Sequence, residues 1–297
     1  MSGLRTWLMA ARPRTLPAAV APVLVGTAAA VYSTEGDRFR VAAFLAALVG
    51  SVFIQIGTNL ANDYSDARRG ADTVDRLGPV RVTAAGLVAP RRVLVATWLA
   101  FGVAVACGIY LTVVAGPVIL LIGALSILAG VLYTGGPRPY GYEGLGELFV
   151  FLFFGLVAVN GSYYVQVEDL DGLALGLSVA VGLLSAAILV VNNVRDIETD
   201  RRVGKRTLAV RLGRARTRRL YVALVYGAFV VLLVTLALNG GPWWTLIGLG
   251  SALLVARPTR AVLTRTDGPS LNSALAGTGA LLAGFSLLVS TGLLIAA

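Results

Sequence analysis

No histidine occurs in the 297 residues, and cysteine occurs once, at Cys107. Without imidazole there is no Ser–His–Asp triad, no histidine acid–base pair and no histidine-bound metal, and a single thiol makes no disulfide framework. Any metal chemistry must use oxygen ligands, which favours Mg²⁺, Mn²⁺ or Ca²⁺. Charge is scarce as well. Only 13% of the residues are charged and 57% are hydrophobic, whereas a soluble domain carries about 25% charged residues. So little polar surface excludes a cytosolic globular enzyme, a disordered chain and a nucleic-acid-binding domain. A polytopic membrane protein remains.

Uncharged runs long enough to cross a bilayer, about 20 residues each, mark the spans. They cover 15–34, 41–62, 93–137, 148–167, 172–194, 220–256 and 268–297. Two of them are double length. Gly116-Pro117 divides the third, and Asn239-Gly240-Gly241-Pro242 divides the sixth. The expected fold is therefore an all-α membrane protein, with nine transmembrane helices around a central cavity capped by cytoplasmic loops. In that arrangement 23 of the 25 cations fall on alternate loops, and only Arg38 and Arg40 fall elsewhere. The positive-inside rule then predicts a multi-pass protein of the cell membrane, with a cytoplasmic N-terminus and an external C-terminus. It also accounts for the net charge of +10 without nucleic acid as a partner. Residues 1–297 read as one domain. Two four-helix repeats, 13–137 and 147–256, followed by a ninth helix at 268–297, are a possible internal organisation.

The acidic residues are placed in a way that topology does not require. At the end of the second span Asn59, Asn62, Asp63 and Asp66 lie on one helical face, and Asp72 follows just after a glycine. At the end of the run 172–194, the sixth of the nine expected helices, Asn192, Asp196 and Asp200 recur every four residues, with Asn193 beside them. The two segments are 130 positions apart, Asn62 to Asn192 and Asp66 to Asp196. Carboxylates interleaved with Asn and flanked by cations suit Mg²⁺ with a phosphorylated ligand, because Mg²⁺ takes one or two carboxylates and leaves phosphates to complete its shell. Two such clusters suit two ions on one diphosphate, with Arg68, Arg138, Lys205 and Arg206 balancing its remaining charge. Solvated loop charge is the alternative reading, and it is preferred for Arg214, Arg216, Arg218 and Arg219. The loop from Tyr133 to Glu147 carries Tyr133, Tyr140 and Tyr142, which suit either an aromatic substrate or an interfacial belt.

These motifs resemble the UbiA superfamily of intramembrane aromatic prenyltransferases. The resemblance is closest to the branch that prenylates 1,4-dihydroxy-2-naphthoate in menaquinone synthesis. It is carried by Ala11-Arg12-Pro13-Arg14-Thr15-Leu16-Pro17, Asn59-x-x-Asn62-x-x-x-Asp66-x5-Asp72 and Tyr133-Thr134-Gly135-Gly136-Pro137. Asn192-Asn193-x-Arg195-Asp196-x-x-x-Asp200 and Gly204-Lys205-Arg206-Thr207-Leu208 complete it. Asp66 and Asp72 are six apart, as in naphthoate-type members, where the general superfamily pattern is Asp-x3-Asp.

The resemblance implies Mg²⁺-dependent transfer of a polyprenyl group from its diphosphate to 1,4-dihydroxy-2-naphthoate, with loss of CO₂, within a lipid bilayer. Asp66, Asp72, Asp196 and Asp200 would hold two Mg²⁺, with Asn62 as a further ligand and Lys205 as a catalytic cation. Asn59, Asn62, Arg68, Arg138, Asn192, Lys205 and Arg206 would bind the diphosphate. Tyr133, Arg12, Arg14 and Asn193 would face the aromatic substrate. Two alternatives stay open, another aromatic prenyltransferase of the superfamily (4-hydroxybenzoate, homogentisate or haem-O type) and a membrane transporter. Because the acids are read as facing a loop cavity, Asp66 and Asp196 are expected to carry little of the packing.

Overall fold

A computed structural model describes residues 3–37, 39–71 and 77–297. The described residues form helices joined by turns and loops, with no strand among them. α1 (Gly3–Ala11) is amphipathic. It buries Thr6 and Ala10 and exposes Leu4, Trp7 and Leu8. After a one-turn 3₁₀ segment, Pro13–Thr15, the chain enters α2 (Pro17–Ser33). α3 (Val41–Arg68), α4 (Pro90–Ala115) and α5 (Val118–Leu132) follow. The second half holds α6 (Gly146–Val167), α7 (Gly172–Arg202), the short α8 (Leu208–Leu212) and α9 (Arg214–Asn239). A 3₁₀ segment, Trp243–Leu254, leads into α10 (Ala256–Thr264), and α11 (Gly268–Ile295) closes the chain.

The breaks fall where proline and glycine demand them. Gly116, at φ +87°, ends α4, and Pro117 opens α5. Asn239 ends α9, and Gly240 follows at φ +62°. Among the described residues, six helices are long and apolar enough to cross a membrane, or eight when each bent pair counts as one span. The two bent pairs are Gly3–Thr15 with Pro17–Ser33 (52°) and Trp243–Leu254 with Ala256–Thr264 (40°). α5 falls short of the expected ninth span. At 15 residues it is about 22 Å long, against a hydrocarbon core of about 30 Å. The uncharged run continued to Pro137, but Tyr133-Thr-Gly-Gly leaves the helix.

α7 is the central element. Its apolar stretch is 72% buried, compared with 22% for α3 and 28% for α4. α4 and α5 turn Trp98, Leu99, Val113 and Leu121 outwards, an apolar surface suited to lipid. α6 approaches α7 most closely through a π-helical stretch, Phe151–Val157. Gly155 and Gly182 meet there, and a Cβ on Gly155 would lie 2.6 Å from the Gly182 Cα and 2.7 Å from Ser178 O. Backbone cannot step aside as a flexible side chain can. Gly155→Val is therefore expected to cost at least about 1–3 kcal/mol by overpacking, read as a lower thermal unfolding temperature in detergent. Gly102→Ala, on a membrane-facing stretch of α4 with nothing within 4 Å of the new methyl, should unfold no earlier than the parent protein.

Candidate active site

A cavity of about 350 Å³ runs through the bundle, from Asp66, Asp196 and Lys205 at one end to Ala47, Leu111 and Val165 at the other. Its polar end is built by the last turns of α3 and α7 and by the segments that follow them. Asn59, Asn62, Asp63 and Asp66 are all buried. Asp63 has a structural task, because its two oxygens accept the backbone N–H groups of Val82 and Thr83, each at 3.0 Å. That cap folds the segment after α3 back and delivers Arg81 to Asp66, Nη2 to Oδ2 at 3.1 Å. Asn62 Oδ1 accepts from the Thr134 hydroxyl at 2.8 Å, which ties down the loop after α5.

Asp66, 1% exposed, is the meeting point. Its Oδ2 also accepts from Lys205 Nζ at 3.1 Å, and its Oδ1 accepts from the Tyr142 hydroxyl at 2.7 Å. Lys205 sits over the Tyr142 ring as well, 4.6 Å from its centre. The local sequence explains how Lys205 reaches this position. Gly204 takes φ +76° just beyond α7, a conformation that favours glycine. The turn closes with Lys205 N donating to Asp200 O at 2.8 Å.

The α7 side is organised by Arg195, itself 1% exposed. Its Nε and Nη2 grip Asp196 in a two-pronged pair at 2.8 and 2.6 Å. Nη2 also donates to Asn192 Oδ1 at 2.8 Å, and Nη1 to Asn272 Oδ1 on α11 at 2.7 Å. Asn193 Nδ2 donates to Glu147 Oε1 at 2.8 Å. Asn192, Asn193, Asp196 and Asp200 all line the cavity. The aromatic loop packs beside them. The Tyr140 hydroxyl donates to Ala129 O, and its ring stacks on Phe149 and meets Tyr133 edge-on. Burial pushes the Tyr133 and Tyr140 phenols well above their usual range, so both are O–H donors at neutral pH.

Of the residues expected from sequence, Arg12, Asn59, Asn62, Asp66, Tyr133, Asn192, Asn193, Asp196, Asp200 and Lys205 are brought to this cavity. Arg14, Arg68, Arg138 and Arg206 do not line it and are exposed. Arg68 instead donates to the Tyr64 hydroxyl one turn back, and Arg206 donates its backbone N–H to Tyr142 O. Asp72 lies outside the described residues. Sequence reasoning missed the site roles of Arg81, Arg195 and Glu147, and it read Tyr142 as an aromatic contact or belt residue where the structure has its hydroxyl donating to Asp66. The position of Arg195, immediately before Asp196 and three after Asn192, was the one available signal.

Among the described residues no three acidic side chains come together as a ready-made metal cage. The donor set fits Mg²⁺ nonetheless. It offers one carboxylate from α3, two from α7 and neighbouring Asn carbonyls along one cavity, with coordination positions left for phosphate oxygens.

A model of the UbiA prenyltransferase family matches residues 19–282. The chain is 44% identical over 279 residues to the 1,4-dihydroxy-2-naphthoate octaprenyltransferase of Mycobacterium tuberculosis, covering 94% of this chain and 93% of that one. It is 38% identical over 290 residues to the Escherichia coli protein of the same name, covering 95% and 93%. In fold it is similar to a UbiA homologue from Aeropyrum pernix, with a TM-score of 0.70 at 16% identity over 93% and 97% of the two chains. It is also similar to one from Archaeoglobus fulgidus bound to DMAPP and Mg²⁺, with a TM-score of 0.58 at 13% identity over 96% and 99%.

The expectation that Asp66 carries little packing is overturned by its partners. Asp66→Ala removes the buried carboxylate that Lys205, Arg81 and Tyr142 share, and breaking a buried ion pair of this kind costs about 3–5 kcal/mol. A sharply lower unfolding temperature is expected, while Asp37→Ala, at an exposed turn, should match the parent protein.

Proposed function

The chain belongs to the UbiA prenyltransferase family, and from that premise we propose that it transfers a polyprenyl group from polyprenyl diphosphate to 1,4-dihydroxy-2-naphthoate, with loss of CO₂, as a step of menaquinone synthesis. The observation that carries this reading is the convergence of the Asn59–Asn62–Asp66 face and the Asn192–Asp196–Asp200 face on one cavity whose far end is apolar, in a chain 44% identical to an enzyme named for that activity.

The reaction breaks the allylic C–O bond, and the electron pair leaves with the diphosphate. A C–C bond forms at the ring carbon bearing the carboxylate. The carboxylate departs as CO₂, and its bonding pair restores the aromatic ring, so no separate base is needed at that carbon. Bound Mg²⁺ supplies positive charge to the diphosphate as it leaves; two ions fit the paired motifs. Asp66, Asp196 and Asp200, with Asn62 and Asn192, hold that end of the site, and Asp72 joins them in this reading. Lys205 presents a compact ammonium to the leaving group, and Arg81 lies beside it. Such fixed charge acts without reorganising as the leaving group develops its own. Phe149, Phe153 and Phe154 line the apolar walls and exclude water from the allylic cation. Arg12, Tyr133 and Asn193 line the region assigned to the aromatic acceptor.

We further infer a nine-span topology in the cell membrane, in which α5 crosses with help from its polar flanks. The N-terminus and the loops after α3, α5 and α7 are cytoplasmic, and the C-terminus is external. The cation distribution supports this, as does the meeting of those three loops at Asp66. Corresponding Asn/Asp faces on α3 and α7 support reading the chain as two four-helix repeats and a ninth helix.

Two measurements test the reaction. Purified protein given dihydroxynaphthoate and a polyprenyl diphosphate should yield a product of the acceptor's mass plus the prenyl group less CO₂. The product should vanish with EDTA and return with Mg²⁺; turnover that survives chelation overturns the reading. Lys205→Ala should lower turnover by at least about tenfold, or roughly 1.4 kcal/mol of transition-state stabilisation. Arg216→Ala, exposed on α9, should stay within about twofold, well under 1 kcal/mol. Equal kinetics for the two variants would reduce Lys205 to a structural partner of Asp66.

A further inference from the structure

The cavity holds a buried polar atom that no donor diphosphate can satisfy. Gln55 stands on α3 one turn from Asn59, on the face that continues through Asn62 to Asp66, and it lines the cavity. Its side chain is almost fully enclosed, at 8% exposure. The Nε2 group donates to the Thr15 hydroxyl at 3.1 Å, and Asn59 Nδ2 donates to the same oxygen at 3.0 Å. Thr15 in turn donates its only proton to Arg12 O at 2.9 Å. A hydroxyl whose proton is committed can only accept, so Thr15 fixes the orientation of the Gln55 amide. Nitrogen must face Thr15, and Oε1 is left bare, buried and without a hydrogen-bond partner.

A buried carbonyl oxygen wants a donor. Prenyl diphosphate brings none, because its phosphate oxygens accept and its chain is hydrocarbon. An aromatic acceptor with ring hydroxyls does bring one. We propose that Gln55 Oε1 accepts a hydrogen bond from a ring hydroxyl of the aromatic acceptor and thereby selects the dihydroxy form over the corresponding quinone, which has no O–H to donate. The proposal rests on the prenyl-transfer reading of this cavity.

The spacing agrees with that role. Gln55 and Asp66 are eleven positions apart on one helix, about 16 Å along its axis, which leaves room between them for a diphosphate and the reacting carbon. Ser185 on α7 supplies a second buried hydroxyl that lines the cavity without a partner, available to the same ring. Gln55 acts here as a specificity residue. An amide oxygen accepts the hydrogen bond and leaves the proton on the phenol.

The test compares dihydroxynaphthoate with its two mono-O-methyl ethers, with binding followed by naphthoate fluorescence in the absence of prenyl donor. In the parent protein one ether should bind at least about tenfold more weakly than the dihydroxy compound, and the ether that keeps the contacted hydroxyl should bind more nearly alike. In Gln55→Leu the dihydroxy compound itself should weaken by at least about tenfold, the penalty on that ether should vanish, and the KM for the prenyl donor should stay within about twofold. Gln55→Met serves as a second variant of similar volume. If both ethers bind the parent protein as tightly as the dihydroxy compound, or if the donor KM rises together with the acceptor's in the variants, the assignment of Gln55 is overturned. Should neither variant fold, the ether comparison on the parent protein decides alone. Failure of the parent protein to turn over dihydroxynaphthoate at all would instead overturn the reading of the reaction.

Discussion

One buried carboxylate holds the cytoplasm-side architecture together in the proposed topology. Asp66 receives Arg81 from the segment after α3, Tyr142 from the loop after α5 and Lys205 from the turn after α7. These three stretches are far apart in the chain and share no regular secondary structure. Around the carboxylate they add smaller ties. Thr134 donates to Asn62, Arg206 N to Tyr142 O, and Arg211 to Glu143. A charge this enclosed is tolerated only while it is paired and hydrogen-bonded. The loops therefore depend on an ionised Asp66, and Asp66 depends on the loops to supply its cations.

Asp196 is balanced differently. Its partner, Arg195, is its own neighbour on α7 and grips both carboxylate oxygens. Arg195 also reaches α11 through Asn272, which in turn holds Leu77 O. The second motif thus carries its counter-charge within the central helix, while the first borrows its counter-charge from loops. Each side presents a carboxylate already neutralised by the chain. The described residues hold no three-acid cluster, and carboxylates balanced in this way suit a metal that arrives with a polyanion. Phosphate oxygens would then complete the coordination, and the cations beside each carboxylate would remain close enough to face the same phosphates.

Much of this was legible in the sequence because the signals are local. Gly116-Pro117 and Asn239–Pro242 break helices by their own backbone chemistry, and the four-residue recurrence of Asn192, Asp196 and Asp200 defines a face without any tertiary knowledge. Arg81 was not legible as a site residue, and Arg195 only through its position beside Asp196. Counting cations per loop records the charge of a loop and says nothing about where a side chain turns. Arg81 turns inwards only because Asp63 caps the backbone at Val82 and Thr83, a contact across 19 positions. The shortness of α5 was hidden for a related reason. Tyr133-Thr-Gly-Gly-Pro adds no charge to an apolar run, so hydropathy continues where the helix stops. Gln55 was lost inside an otherwise apolar window, although the spacing to Asn59 and Asn62 places it on the same face.

That face orders the proposed chemistry. Asp66, Asn62, Asn59, Gln55, Ser51 and Ala47 all line the cavity from α3 at intervals of three or four residues, about 28 Å from end to end. Along the row the side chains pass from carboxylate to amide to hydroxyl to methyl. A metal-bound anion has counter-charges only at the first end. A hydrocarbon chain avoids desolvating polar groups only towards the last. A flat ring with hydroxyls finds amide partners only between them. The allylic carbon, bonded to both the anion and the chain, is then confined to the amide zone where the ring must lie. Helical periodicity on α3 thus brings the two reacting carbons together, while the opposing α7 face adds Asn192, Asp196 and Asp200 at the anion end and the remaining walls keep the cavity dry.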